Sequence, residues 1–141
     1  MRSLIPALIL SLAAFPAAAQ RFSAVCSNLS GTRVEDQGTR PRFDPDAVGT
    51  TPWAYTWDLK TSKATVTFQS SRSATGKPFT QTGTVSSHRG GFFTIVSLLP
   101  GAVWTHTLYA DTGRLLVTQS TTKNSADLSG RMLVGTCTMS R

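Results

Sequence analysis

The sequence predicts an all-β domain, an antiparallel meander of about seven to eight strands that closes into a small barrel. A two-sheet β-sandwich is the alternative architecture. Three observations carry this expectation. From Trp53 onward, apolar and polar residues alternate with period two in one short segment after another. Turn-forming residues separate these segments at roughly 10–12-residue intervals. Only 15% of the 141 residues are charged, against about a quarter in an average domain. Thr and Ser fill the difference, and Thr favours pleated, half-solvated surface.

The chain opens with a short positive start, Met1-Arg2-Ser3. The apolar run from Leu4 to Phe15 is too short for a stable membrane anchor. Pro16 breaks that run and Ala17-Ala18-Ala19 supplies small residues for cleavage. This order predicts a secretory signal peptide over residues 1–19 and one mature β domain over 20–141. The expected location is therefore exported, periplasmic or extracellular, and no later segment is long and apolar enough to cross a membrane.

Residues 24–29 are expected to form a short first strand. Residues 30–52 read as a long polar loop, punctuated by Gly31, Pro41, Pro45, Gly49 and Pro52 and carrying four of the seven acids. The clearest hairpin follows. Trp53, Tyr55 and Trp57 alternate with Ala54, Thr56 and Asp58, the chain turns at 60–63, and Ala64, Val66 and Phe68 alternate with Thr65 and Thr67. Gly83 in the next strand (residues 78–87) marks a bulge or tight bend. Residues 92–99 are apolar on both faces, as in a strand covered on both sides. Residues 103–110 carry Trp104, His106 and Leu108 on one face. Asp111-Thr112-Gly113 fits a hairpin loop with Gly in the left-handed position, and strands at 114–121 and about 128–139 complete the chain.

Cys26 and Cys137 are the two cysteines of the chain, one near each end of the domain. In an oxidising compartment they are expected to form one disulfide that ties the first strand to the last. A redox role lacks the C-x-x-C spacing.

The formal charge is +7, falling to about +6 once Arg2 is removed. Such a surface stays soluble and draws anions at long range. In a meander, alternate turns lie at the same end, which gathers Lys60, Lys63, His88, Arg89 and Arg114 into a basic rim with Asp111 as its acid. Arg72, Lys77, Lys123 and Arg131 fall at or near the opposite end. A basic rim beside Phe92 and Phe93 suits an anionic polymer, an envelope component or an acidic protein; nothing points specifically to nucleic acid. Trp53, Tyr55, Trp57 and Trp104 form core, or line a small-ligand cavity if the barrel holds one.

Catalytic chemistry is not expected. His88 and His106 are the two histidines, and neither has a nucleophile or acid placed beside it in the pattern. His106 reads instead as a half-buried histidine bonded to a neighbour. No strand-borne carboxylate pair suits glycoside hydrolysis. Asp44-Pro45-Asp46 lacks the further oxygen ligands of a calcium loop. The expectation is a non-enzymatic binding module without cofactor or metal. A small-ligand carrier is the alternative, and a hydrolase using His106 comes third. In architecture alone the layout resembles exported β domains such as lipocalin-like carriers and bacterial periplasmic inhibitors of lysozyme. The lipocalin-type Gly-x-Trp signature is absent near the first strand, so the resemblance assigns no residue a role.

Overall fold

The computed structural model describes residues 21–36, 40–48, 50–69, 77–124 and 127–140; the expected signal peptide lies outside them. Nine strands are present among these residues: β1 (Arg21–Asp36), β2 (Pro41–Ala47), β3 (Trp53–Asp58), β4 (Lys63–Phe68), β5 (Phe79–His88), β6 (Phe92–Leu99), β7 (Ala102–Tyr109), β8 (Arg114–Asn124) and β9 (Asp127–Ser140). Each pairs antiparallel with the next from β3 to β9, and β1 joins β3 on one side and β9 on the other. Eight strands thus close into a barrel, as the alternation and short turns predict, and the sandwich alternative is set aside. β2 is the ninth and pairs with β1 alone, beyond the stretch that β3 occupies.

The polar loop expected over 30–52 is corrected by this arrangement. β1 runs through to Asp36 and residues 41–47 form β2. Two local features hide these strands in the sequence. Asn28 takes a left-handed φ of 56° at a register shift between Ser27 and Ser30, a conformation Asn tolerates better than most residues. This bulge switches the buried side of β1 from Ala24 and Cys26 to Leu29, which breaks the period-two signal. Pro41 and Pro45 survive in β2 because its second edge pairs with no described strand, where a missing N–H costs no ladder bond.

The core lies inside the barrel. Ala24, Cys26, Trp53, Tyr55, Trp57, Val66, Ile95, Leu108, Leu115, Val117 and Leu133 are all buried. The apolar outer positions of β6 were expected to be covered, but a closed barrel leaves its outer wall in solvent, and Leu98 is 73% exposed. The disulfide forms as expected, between Cys26 and Cys137, which stand opposite each other on the β1–β9 seam. Gly113 turns the β7–β8 hairpin at φ 61°. Gly83 is not a bulge: no register shift occurs there. A Cβ at that position would lie 2.6 Å from Ser97 Oγ and 2.6 Å from the Val96 carbonyl oxygen, so the glycine serves close approach of β5 to β6.

Candidate functional site

The hairpin turns β3–β4, β5–β6 and β7–β8 lie at one end of the barrel, here the turn end. The end of β4, the start of β5, the β6–β7 turn and the β1–β2 extension lie at the far end. The two ends differ in chemistry. At the turn end, Phe22, Trp57 and Phe93 form an aromatic plug with ring centroids 5.1–5.6 Å apart. These rings close this end, and the Trp57 Nε1 among them is the one polar atom of the plug that is buried without a hydrogen-bond partner among the described residues.

Lys60, Lys63, His88, Arg89 and Arg114 are all exposed at the turn end. His88 stacks on Phe92 at 4.6 Å. Of these residues, Lys63 lines an open cleft of about 580 Å³, together with Arg21, Asp58 and Thr61. Arg21 Nε lies 3.5 Å from Asp58 Oδ2, and Asp58 Oδ1 accepts the Lys60 and Thr61 N–H groups. Desolvation pushes the Asp58 carboxyl upward, but the Thr61 and Lys60 N–H donors and Arg21 outweigh it and hold the group below its ordinary range. Asp58 therefore stays ionised and offsets part of the positive charge beside the cleft.

The far half of the barrel is built differently. Ser97, Trp104, Gln119 and Arg131 stand opposite one another in turn across β6, β7, β8 and β9. One layer deeper, Ile95, His106, Val117 and Leu133 form a wholly buried row. Across the barrel, Tyr55 stands opposite Val66 and Val66 opposite Gln81. Trp53 stacks on Phe68 at 4.4 Å and approaches Trp104 and His106 at 6.1 Å. Trp53, Phe68 and Trp104 thus form one aromatic cluster, with the His106 ring against Trp53 and Trp104.

Those polar groups are the unusual feature. Gln81 is 1% exposed, and Ser97 and His106 are fully buried. Gln81 Oε1 and Nε2, Ser97 Oγ, His106 Nε2 and Trp53 Nε1 are all buried without a hydrogen-bond partner among the described residues. Each such group costs about 1–3 kcal/mol in lost hydration. A native interior seldom tolerates several side by side, and a closed barrel could bury apolar side chains here instead. β5 and β6 also part toward this end. β5 pairs with β4 over Phe79–Thr84 but with β6 only from Thr84 onward, while Ser97–Leu99 of β6 pair with β7.

The expected half-buried His106 is fully buried. Its Nδ1 lies 3.2 Å from the Tyr55 hydroxyl. The hydroxyl donates to Nδ1 when the ring proton sits on Nε2, leaving Nε2–H as a free donor inside the barrel. Burial lowers the His106 pKa to about 4, so the ring is neutral at pH 7. Burial also pushes the Tyr55 phenol far above its ordinary value. Around this pair stand the rings of Trp53 and Trp104.

Of the residues singled out in the sequence, the structure brings Trp53, Tyr55 and Trp104 together in the far half and places Trp57 in the plug. Lys60, Lys63, His88, Arg89 and Arg114 stay at the opposite end. Gln81, Ser97 and Arg131 were missed as members of an inner layer. Their signal was present: each sits at the parity of buried apolar neighbours, Gln81 with Val85, Ser97 with Ile95 and Arg131 with Leu133. Among the described residues no three or more His, Cys, Asp or Glu side chains come together as metal ligands would. No family model, curated protein or solved structure matches the chain.

Proposed function

We propose that the protein is a non-enzymatic binding module that holds a small ligand in the far half of its barrel. One observation carries this reading: Gln81, Ser97 and His106 present buried, unpartnered donors and acceptors in the half of the barrel that holds the aromatic cluster of Trp53, Phe68 and Trp104. Small-molecule sites have this composition, mostly aromatic and apolar lining with a few convergent polar groups. The Cys26–Cys137 disulfide fits a protein exported to an oxidising compartment.

The test uses naphthol, a two-ring aromatic with one hydroxyl, in isothermal titration calorimetry against the disulfide-bonded protein. Saturable one-to-one binding is expected, weakened about tenfold or more in Gln81→Leu with Ser97→Ala, the scale of losing well-placed hydrogen bonds. Gln81→Leu alone is expected to raise the unfolding free energy by about 1–3 kcal/mol, because it removes two unsatisfied buried polar atoms. Absent binding, or binding indifferent to both substitutions, overturns the reading.

A second reading rests on the cleft between Arg21 and Lys63, where the exposed cations of the turn end meet an anionic polymer or acidic protein. Lys63→Glu with Arg89→Glu is expected to abolish salt-sensitive retention on a heparin column. Unchanged retention removes this reading.

A further inference from the structure

Arg131 sits where a ligand in the far half would meet its first charge. Its guanidinium lies 5.9 Å from the Trp104 ring centroid, and its side chain is only 24% exposed. Its charge partner is Asp46 of β2, with Nε 3.4 Å from Oδ2. That separation is long for an arginine–carboxylate pair, whose charge-assisted bonds settle near 2.7–2.9 Å. The neighbouring Arg42–Asp44 pair reaches 2.7 Å. Asp46 Oδ2 is also buried without a hydrogen-bond partner among the described residues. The pair therefore satisfies neither side fully.

Arg33 stands opposite Arg131 in the β1–β9 register and pairs with Glu35 at 3.4 Å. With the neighbouring Arg42–Asp44 pair, three arginines and three carboxylates balance along this edge. A further anion fits there without excess charge only if one carboxylate leaves. Asp46 is placed to do so, because β2 pairs with no strand but β1 among the described residues. A planar carboxylate is the anion that a guanidinium binds in two-pronged fashion. The rings of Trp53, Phe68 and Trp104 next to it favour an aromatic body.

We infer that the ligand is a compact aromatic carboxylic acid whose carboxylate takes the place of Asp46 on Arg131. This rests on the small-ligand reading above. The aromatic body packs against Trp104, whose ring lies 5.9 Å from the Arg131 guanidinium, on the side of the polar layer that Ser97 of the neighbouring strand continues. Asp46 turns out to water when the acid enters, so the mouth stays charge-balanced.

The experiment compares naphthoic acid with naphthamide, which share a ring system and differ in charge, by calorimetry at pH 7 on the disulfide-bonded protein. The acid is expected to bind about tenfold or more tightly than the amide. Asp46→Asn is expected to strengthen acid binding several-fold and leave the amide unchanged, because the competing carboxylate is gone. Arg131→Met is expected to make the two probes equal. Equal affinity of acid and amide for the unaltered protein overturns this inference and leaves the small-ligand reading standing. Failure of both probes to bind overturns the two together. The comparison in the unaltered protein does not depend on either variant folding.

Discussion

Replacing Cys26 and Cys137 together with Ala is expected to lower the unfolding free energy by roughly 4–5 kcal/mol, read from urea unfolding of the oxidised protein and the variant. The bond spans 111 positions of sequence, and in the chain-entropy account a longer loop constrains the unfolded chain more. Its place in the fold sharpens the expectation. The β1–β9 seam joins the most sequence-distant strands of the barrel, farther apart than those of the β1–β3 junction, so its pairing must overcome the largest loop-closure entropy. Hairpin junctions such as β7–β8 need no such help. For a domain with 5–15 kcal/mol in total, this loss removes a large share of stability. A loss below about 1 kcal/mol would mean that the seam holds through strand pairing and core burial alone.

Acidification from pH 7 to pH 4 is expected to cost the protein about 3 kcal/mol of stability through His106 alone. The folded-state pKa is about 4, while an unfolded histidine titrates near 6.5. Between these values the unfolded chain binds a proton that the folded chain refuses. The contribution is fully present above pH 6.5 and is lost as pH falls toward 4. The cause is burial: the ring lies between Trp53, Tyr55 and Trp104, where a positive charge would be poorly hydrated. His106→Gln removes the titration. Its unfolding free energy, measured across the same range, is expected to fall about 3 kcal/mol less than that of the unaltered protein. Parallel curves would show that His106 gains its proton without cost in the folded state.

The barrel was legible in the sequence wherever alternation was clean. Trp53–Asp58, Lys63–Phe68 and Ala102–Tyr109 read as strands because apolar residues occupy every second position and the turns between them are short. The disulfide was legible from cysteine placement alone. The β1–β2 extension was hidden because a bulge at Asn28 switches the inward parity and prolines in β2 mimic loop punctuation. The outer face of β6 was misjudged because Val96 and Leu98 are apolar yet face solvent; a one-strand pattern cannot tell a covered face from a bare one.

The candidate site was harder to read. Charge drew attention to exposed cations at the turns, whereas the informative residues are polar side chains at core parity. Gln81 looks unremarkable between Thr80 and Thr82 until Val66 of β4 is placed opposite it and the buried side is known. Arg131 carries meaning only once β2 brings Asp46 against it. Such pairings link residues far apart in sequence, and periodicity within one strand does not contain them.

The most direct measurement of the central claim is a solution NMR titration of the isotope-labelled protein with naphthol, following the Gln81 side-chain amide, the His106 Nε2 and the Trp53 and Trp104 indole N–H resonances. The account predicts saturating shifts at these groups with one common affinity, while Phe22 and Phe93 in the plug and Lys63 and Arg89 at the turn end stay in place. Shifts confined to the turn end, or none at Gln81 and His106 at saturating probe, would contradict it.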